Sequence, residues 1–239
     1  MVRALGVVLA AWIGLAAPGP ARSQEPGDEG EKDAAAPAVE TWYAQGMGRG
    51  ESGAVVSHYW SKGNHFRADV VVGGHRIITI VNGEYYYTLD ELSGTGVGIR
   101  RAPAAIREDL TRVRPFGTEL VDLLAEGGEK IRSSEVAGSR CDLYRLTDEV
   151  GRRTVCADPK RGLPLQVERY DRSTGKTEVL NYLAWIGGME IPDQFFEPDP
   201  RFEVERFALE EYASRSRRQL VGPAPPLYRT LLYGNRSRR

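Results

Sequence analysis

The sequence has little of what most chemistry needs. It holds two cysteines, three histidines and three methionines in 239 residues. No CxxC pair is present, which argues against a thiol redox motif. No GxSxG, HExxH or other nucleophile–histidine signature appears, and the glycine runs at 46–50 and 94–98 do not complete GxGxxG. Both runs read as flexible turns. The net charge is −1, so no global field points to nucleic acid. After the first twenty residues no apolar run is long enough to span a bilayer. What remains is an ordinary globular composition, 41% hydrophobic and 27% charged. Neither a cofactor nor a metal is expected, and no catalytic group is nominated.

The N-terminus reads as a leader. Arg3 precedes the small-apolar run ALGVVLAAWIGLAA at 4–17, a proline pair follows, and ARS at 21–23 offers small residues for cleavage. A secretory signal peptide is expected over 1–23, giving an exported, periplasmic protein without a lipid anchor. Residues 24–40 hold six acids and one lysine, a disordered acidic linker. Residues 213–239 hold seven arginines, no acid and the run GPAPP. The folded domain is therefore placed at 41–202, with a basic, proline-broken extension at 203–239. Export makes the cysteines meaningful: Cys141 and Cys156 flank the hairpin signal TDEVG and are expected to be bridged. A turn centred on Asp148 and Glu149 sets them directly opposite; one residue later makes them diagonal neighbours.

Strands are predicted near 41–47, 54–61, 64–72, 75–81 and 84–89, joined by glycine turns at Lys62-Gly63, Gly73-Gly74 and Asn82-Gly83. Five more follow near 129–136, 141–147, 152–157, 163–171 and 177–186. With two-residue turns, Val55, Tyr59, Phe66, Val70, Val72, Ile77, Val81 and Tyr86 share one nearly charge-free face. Trp60, Tyr85 and Tyr87 share the other with His58, His65, Arg67 and Asp69. The first face is expected to be concave and buried, the second convex and wet. His65 and Asp69 lie about 13 Å apart along one strand, so these histidines do not build a metal site. Between the two strand sets, Pro103 opens a helix with the stripe Ile106, Leu110, Val113, and Leu120, Leu123 and Leu124 form a second stripe. The fold class is mainly β: a strongly curved antiparallel sheet, or half-open β-barrel, with short helices covering its concave side.

YWSKGNHFRAD (59–69) and IVNGEYYYT (80–88) resemble the LolA/LolB-like outer-membrane lipoprotein carriers and sorting proteins. VAGSRCDLYRL (136–146), CADPKRGLPLQVERYD (156–171) and IPDQFFEPDP (191–200) continue the likeness in order. It implies a half-open barrel with a hydrophobic cavity for lipid or lipoprotein acyl chains, and a role in outer-membrane lipoprotein or lipid trafficking. The cavity wall would be Tyr59, Phe66, Val70, Val72, Ile77, Val81 and Tyr86. Ile106, Leu110, Leu120 and Leu124 would be the lid. The chain departs from the family where Lys62-Gly63 replaces an arginine–proline turn tied to lid closure, which makes Lys62 the candidate gating charge. It also lacks the family's opening helix. A monomer is expected, meeting acyl chains and an inner- or outer-membrane partner protein. The competing reading is an envelope sensor or scaffold whose barrel is filled by its own side chains and which binds a protein partner.

Overall fold

The computed structural model describes residues 39–50, 53–218 and 225–235. The leader at 1–23 and nearly all of the acidic segment lie outside the described residues. The first six strands are β1 (Thr41–Gly50), β2 (Gly53–Lys62), β3 (His65–Val72), β4 (His75–Asn82), β5 (Tyr85–Asp90) and β6 (Thr95–Arg100). Two short helices follow, α1 (Pro103–Glu108) and α2 (Glu119–Ala125). A second meander runs β7 (Glu129–Val136), β8 (Ser139–Thr147), β9 (Gly151–Ala157), β10 (Pro164–Asp171) and β11 (Thr177–Gly187). β11 pairs with β1, so the two meanders and a last strand, β12 (Glu203–Phe207), form one sheet in the order β12-β6-β5-β4-β3-β2-β1-β11-β10-β9-β8-β7. Every pairing is antiparallel except that of β12, which lies parallel to β6. The expected curved, unclosed, antiparallel sheet is the fold observed.

The hairpins keep the expected faces; the Gly73-Gly74 turn pairs Val72 with His75 as expected, and the other two shift their pairs. Asn82 pairs with Tyr85 and Lys62 with His65, so the central turn residues are Gly83-Glu84 and Gly63-Asn64. Gly83 has φ 57°, the glycine-first arrangement of a type II′ turn. The slide brings Val81 opposite Tyr86 in place of Glu84. Pairing partners change by two, so parity is kept and no side chain changes face; a slide by one would have inverted the sheet. Cys141 and Cys156 are disulfide-bonded, with Cα atoms 5.4 Å apart. Leu143, not Cys141, is the direct partner of Cys156, so the bridge is diagonal.

The concave core gathers Phe66, Ala68, Val81, Tyr86 and Ile99, all essentially inaccessible. The convex face departs from expectation. Ile78, Ile80, Tyr87 and Leu89 are buried there beneath a segment that includes Ile191, Phe196 and Phe202. A short 3-10 turn, Asp193–Phe196, sets Phe195 against Trp60 at 5.3 Å. Asp69, expected in solvent, is also buried on this face, between Arg67 at 3.0 Å and Arg76 at 2.5 Å. Strands apolar on both sides are thus explained: the chain covers both.

The described residues beyond 202 belong to this fold. β12 extends the sheet, and helix α3 (Leu209–Arg217) sets Tyr212 against Phe207. Helix α4 (Arg229–Tyr233) buries Leu231 and Leu232 completely in the concave core. Arg101, itself buried, donates from Nε to the Leu231 carbonyl at 2.7 Å and from both amino groups to Asp109 at 2.7 and 3.0 Å. The backbone N–H of Ala102 donates to Leu232, and that of Asn235 to the Glu108 carboxylate. This tie also shortens α1. Asp109 turns to Arg101 and Arg112, and the helix stops at Glu108. Tertiary ion pairing overrides the apolar spacing of the expected longer helix.

Candidate functional site

The open part of the concave face is a cleft of about 430 Å³. β2 and β3 supply one wall through Val55, Tyr59, Val70 and Val72, and β10 and β11 supply the other through Val167 and Leu180. Leu227 and Tyr228 close one side. β1 runs between them, with Gly48 on the floor of the cleft. Its residues paired with the inward side chains of β2 are Ala44, Gly46 and Gly48. A Cβ on Gly46 would stand 3.0 Å from Leu180 Cδ1 and 3.2 Å from the Tyr59 ring. The register of β1 against β11 also slips between Gln45 and Gly46, a bulge of the kind that bends a strand.

The inner end of the cleft is aromatic. Phe116 stacks on Tyr59 at 5.4 Å and on Trp185 at 5.6 Å, and Tyr182 meets Trp185 at 4.8 Å. Tyr228 stands edge-on to Phe66 at 5.0 Å and to Tyr59 at 6.1 Å. Its backbone N–H donates to the Tyr86 hydroxyl at 3.0 Å. Burial pushes the Tyr86 phenol up to about 12, and drives those of Tyr182 and Tyr228 well above the ordinary range. These hydroxyls stay neutral and act only as hydrogen-bonding groups. Tyr182 donates to Glu119 Oε1 at 2.8 Å. The Glu119 carboxyl tip is buried although its stem reaches the surface, and desolvation raises its pKa. Arg114 lies over Trp42 and Trp185 at 5.1 and 5.5 Å, and burial lowers its pKa.

The expected wall residues divide into two sets. Tyr59, Val70 and Val72 line the cleft. Phe66, Val81 and Tyr86 lie in the sealed core, with Tyr228 over Phe66 and Tyr86, and half-buried Ile77 pairs with Val70 outside the lining. The lid residues need correction. Leu110 lies past the end of α1 and is 83% exposed, and Leu124 faces outward at 45%. Leu120 is buried against Val155 and Ala157, away from the cleft. Ile106 borders a separate pocket beside Leu209. The cover is instead the segment holding Leu227 and Tyr228, which sequence reasoning placed in the basic extension. Lys62, the expected gating charge, does not line the cleft: its Nζ donates to the Ile191 carbonyl at 3.1 Å and to Asp193 at 2.6 Å, pinning the convex cover. His58 Nδ1 lies 2.9 Å from the Tyr43 hydroxyl. Among the described residues no group of three or more His, Cys, Asp or Glu is placed to hold a metal ion.

Neither a protein-family model nor a curated protein matches the chain. Among solved structures it is similar to an uncharacterized conserved protein from Thermus thermophilus. That match has 11% identity, covers 70% of this chain and 90% of the other, and has a TM-score of 0.52. The two share a fold. A looser likeness is to the MucA/MucB complex of Pseudomonas aeruginosa, at 14% identity over 70% of this chain and 59% of that one, TM-score 0.45. Another is to a putative outer membrane lipoprotein-sorting protein domain from Vibrio parahaemolyticus, at 12% identity over 66% and 89%, TM-score 0.31.

Proposed function

We propose that this is an exported, periplasmic binding protein that holds an acyl chain of a lipid or lipoprotein in the cleft between β2–β3 and β10–β11, without catalysing a reaction. The observation that carries the reading is the cleft itself: about 430 Å³ of space walled chiefly by valine, leucine and tyrosine. That falls within the roughly 300–1,000 Å³ of single-ligand sites. A chain entering it gains about 0.8 kcal/mol per buried methylene and needs no cofactor. Export is supported by the leader-like N-terminus, and no helix among the described residues is long and apolar enough to cross a membrane. The sealed half of the concavity favours a second reading, a sensor or scaffold that binds a protein partner. The open half favours the binding reading, because a scaffold has no use for unfilled apolar volume. Native mass spectrometry of protein taken from its own cell envelope separates them. Lipid-sized adducts released by mild activation support the first; bare protein together with failure to take up an added acyl probe overturns it.

A further inference from the structure

The apolar cleft adjoins a charged one. It shares Arg49, Arg169 and Glu178 with a second, polar pocket of about 650 Å³ that continues past the ends of the strands. Lys176 and Asp171 complete the charges of that pocket. Among the described lining residues are three cations and two carboxylates. One carboxylate is already engaged: Asp171 accepts from the Ser173 N–H and hydroxyl at 2.8 and 2.6 Å and from the Thr174 N–H at 3.0 Å, closing its own turn. Those bonds hold its pKa below the ordinary aspartate value. The other, Glu178, sits directly across from Arg169 in the β10–β11 pair and offsets one cation. Arg49 stands near the end of β1, opposite Val179 and not a carboxylate.

We propose that the ligand is a single-chain amphiphile with an anionic head, its chain in the cleft and its head against Arg49 and Arg169. This rests on the acyl-binding reading and narrows it. A neutral head would leave the guanidinium groups with water alone. A carboxylate or phosphate accepts charge-assisted hydrogen bonds from them. Both arginines are exposed side chains at strand ends, so replacing them leaves the core untouched. The chemistry common to a fatty carboxylate and a single-chain phosphate ester is one anionic group joined to one aliphatic chain.

The test is displacement of an uncharged fluorescent acyl probe by dodecanoate, dodecyl phosphate and dodecanol, each below its micelle concentration. The expected result is that at least one anion displaces the probe about tenfold better than the alcohol at low salt, the size of one charge-assisted contact. Whichever anion is stronger identifies the head. The advantage should shrink as salt rises, since an exposed contact is screened. Arg49→Ala with Arg169→Ala should remove the advantage, so that the anions displace the probe from that variant no better than dodecanol does. Equal displacement by all three, or an anion preference that survives both substitutions, overturns the inference while the acyl reading stands. A wild-type protein that binds no probe at all defeats both. If the double variant folds poorly, the salt dependence of the wild type decides between the outcomes: an anion advantage that salt leaves unchanged overturns the inference.

Discussion

One concave face holds two regions with opposite fates. Over β4–β6 it is sealed: Val81, Tyr86 and Ile99 are roofed by the chain's own residues around Tyr228, Leu231 and Leu232. Around Val55, Val70 and Val72 and across to Val167 and Leu180 it stays open, above Gly48. The pleat and the hydrogen bonding are the same in both. What differs is the size of the inward residues on one strand and the presence of a covering segment. A sheet of this kind becomes a filled core or a container according to a few positions.

The largest expected effects concern the seal. Leu232→Ala should destabilise the protein by about 2–5 kcal/mol, because it opens a cavity at a site with no accessible surface. Leu227→Ala, at the partly exposed edge of the same segment, should cost well under half of that. Urea denaturation measures both; equal losses would mean that the segment is not divided into core and cleft wall. Removing the disulfide, as Cys141→Ser with Cys156→Ser, should cost about 3 kcal/mol by the loop-entropy argument. Probe binding should survive it, since neither cysteine lines the cleft.

Smaller effects probe the boundary between the regions. Glu119 has a raised folded-state pKa, so its neutral form is favoured in the native protein. Its contribution is fully present below the unfolded glutamate pKa and is lost as pH rises through the folded value. Wild-type stability should therefore fall with rising pH just above the ordinary glutamate range, and Glu119→Gln should flatten that slope. An unchanged slope would show that another group titrates there. The smallest change is Tyr86→Phe, which removes one acceptor from Tyr228 and should cost about 1 kcal/mol. Faster hydrogen exchange at the Tyr228 amide checks it, with the Ile99 amide as the slow reference.

Much of the sealed and folded part was legible in the sequence. Glycine turns located β1–β5, and their spacing sorted inward from outward residues correctly because hairpin parity survives a two-residue slide. The cysteine pair was legible for the same reason. The cleft was only half legible. Its valines and Tyr59 stood out, but Gly46 and Gly48 were read as turn glycines because a glycine run carries no mark of strand or turn. They are strand residues, Gly46 packed closely under Leu180 and Tyr59 and Gly48 on the floor of the cleft. β6 was missed likewise. There a Cβ on Gly96 would stand 2.4 Å from Leu89 Cδ2, and one on Gly98 2.8 Å from Tyr87, so close packing demands what looked like flexibility. β12 and α4 were hidden by distance along the chain. The parallel pairing of β12 with β6 and the hold of Arg101 on Leu231 join residues more than a hundred positions apart, beyond the reach of local periodicity.

The central claim is that the open half of the concavity holds an apolar chain. Its most direct test is fluorescence titration of an acyl probe against the wild type and Val72→Trp, a half-buried cleft position where a larger side chain fills space without burying charge. The account predicts saturable binding at one site in the wild type and loss of most of it in the variant, with an unchanged urea midpoint. Equal binding by both proteins, or none by either, would contradict it.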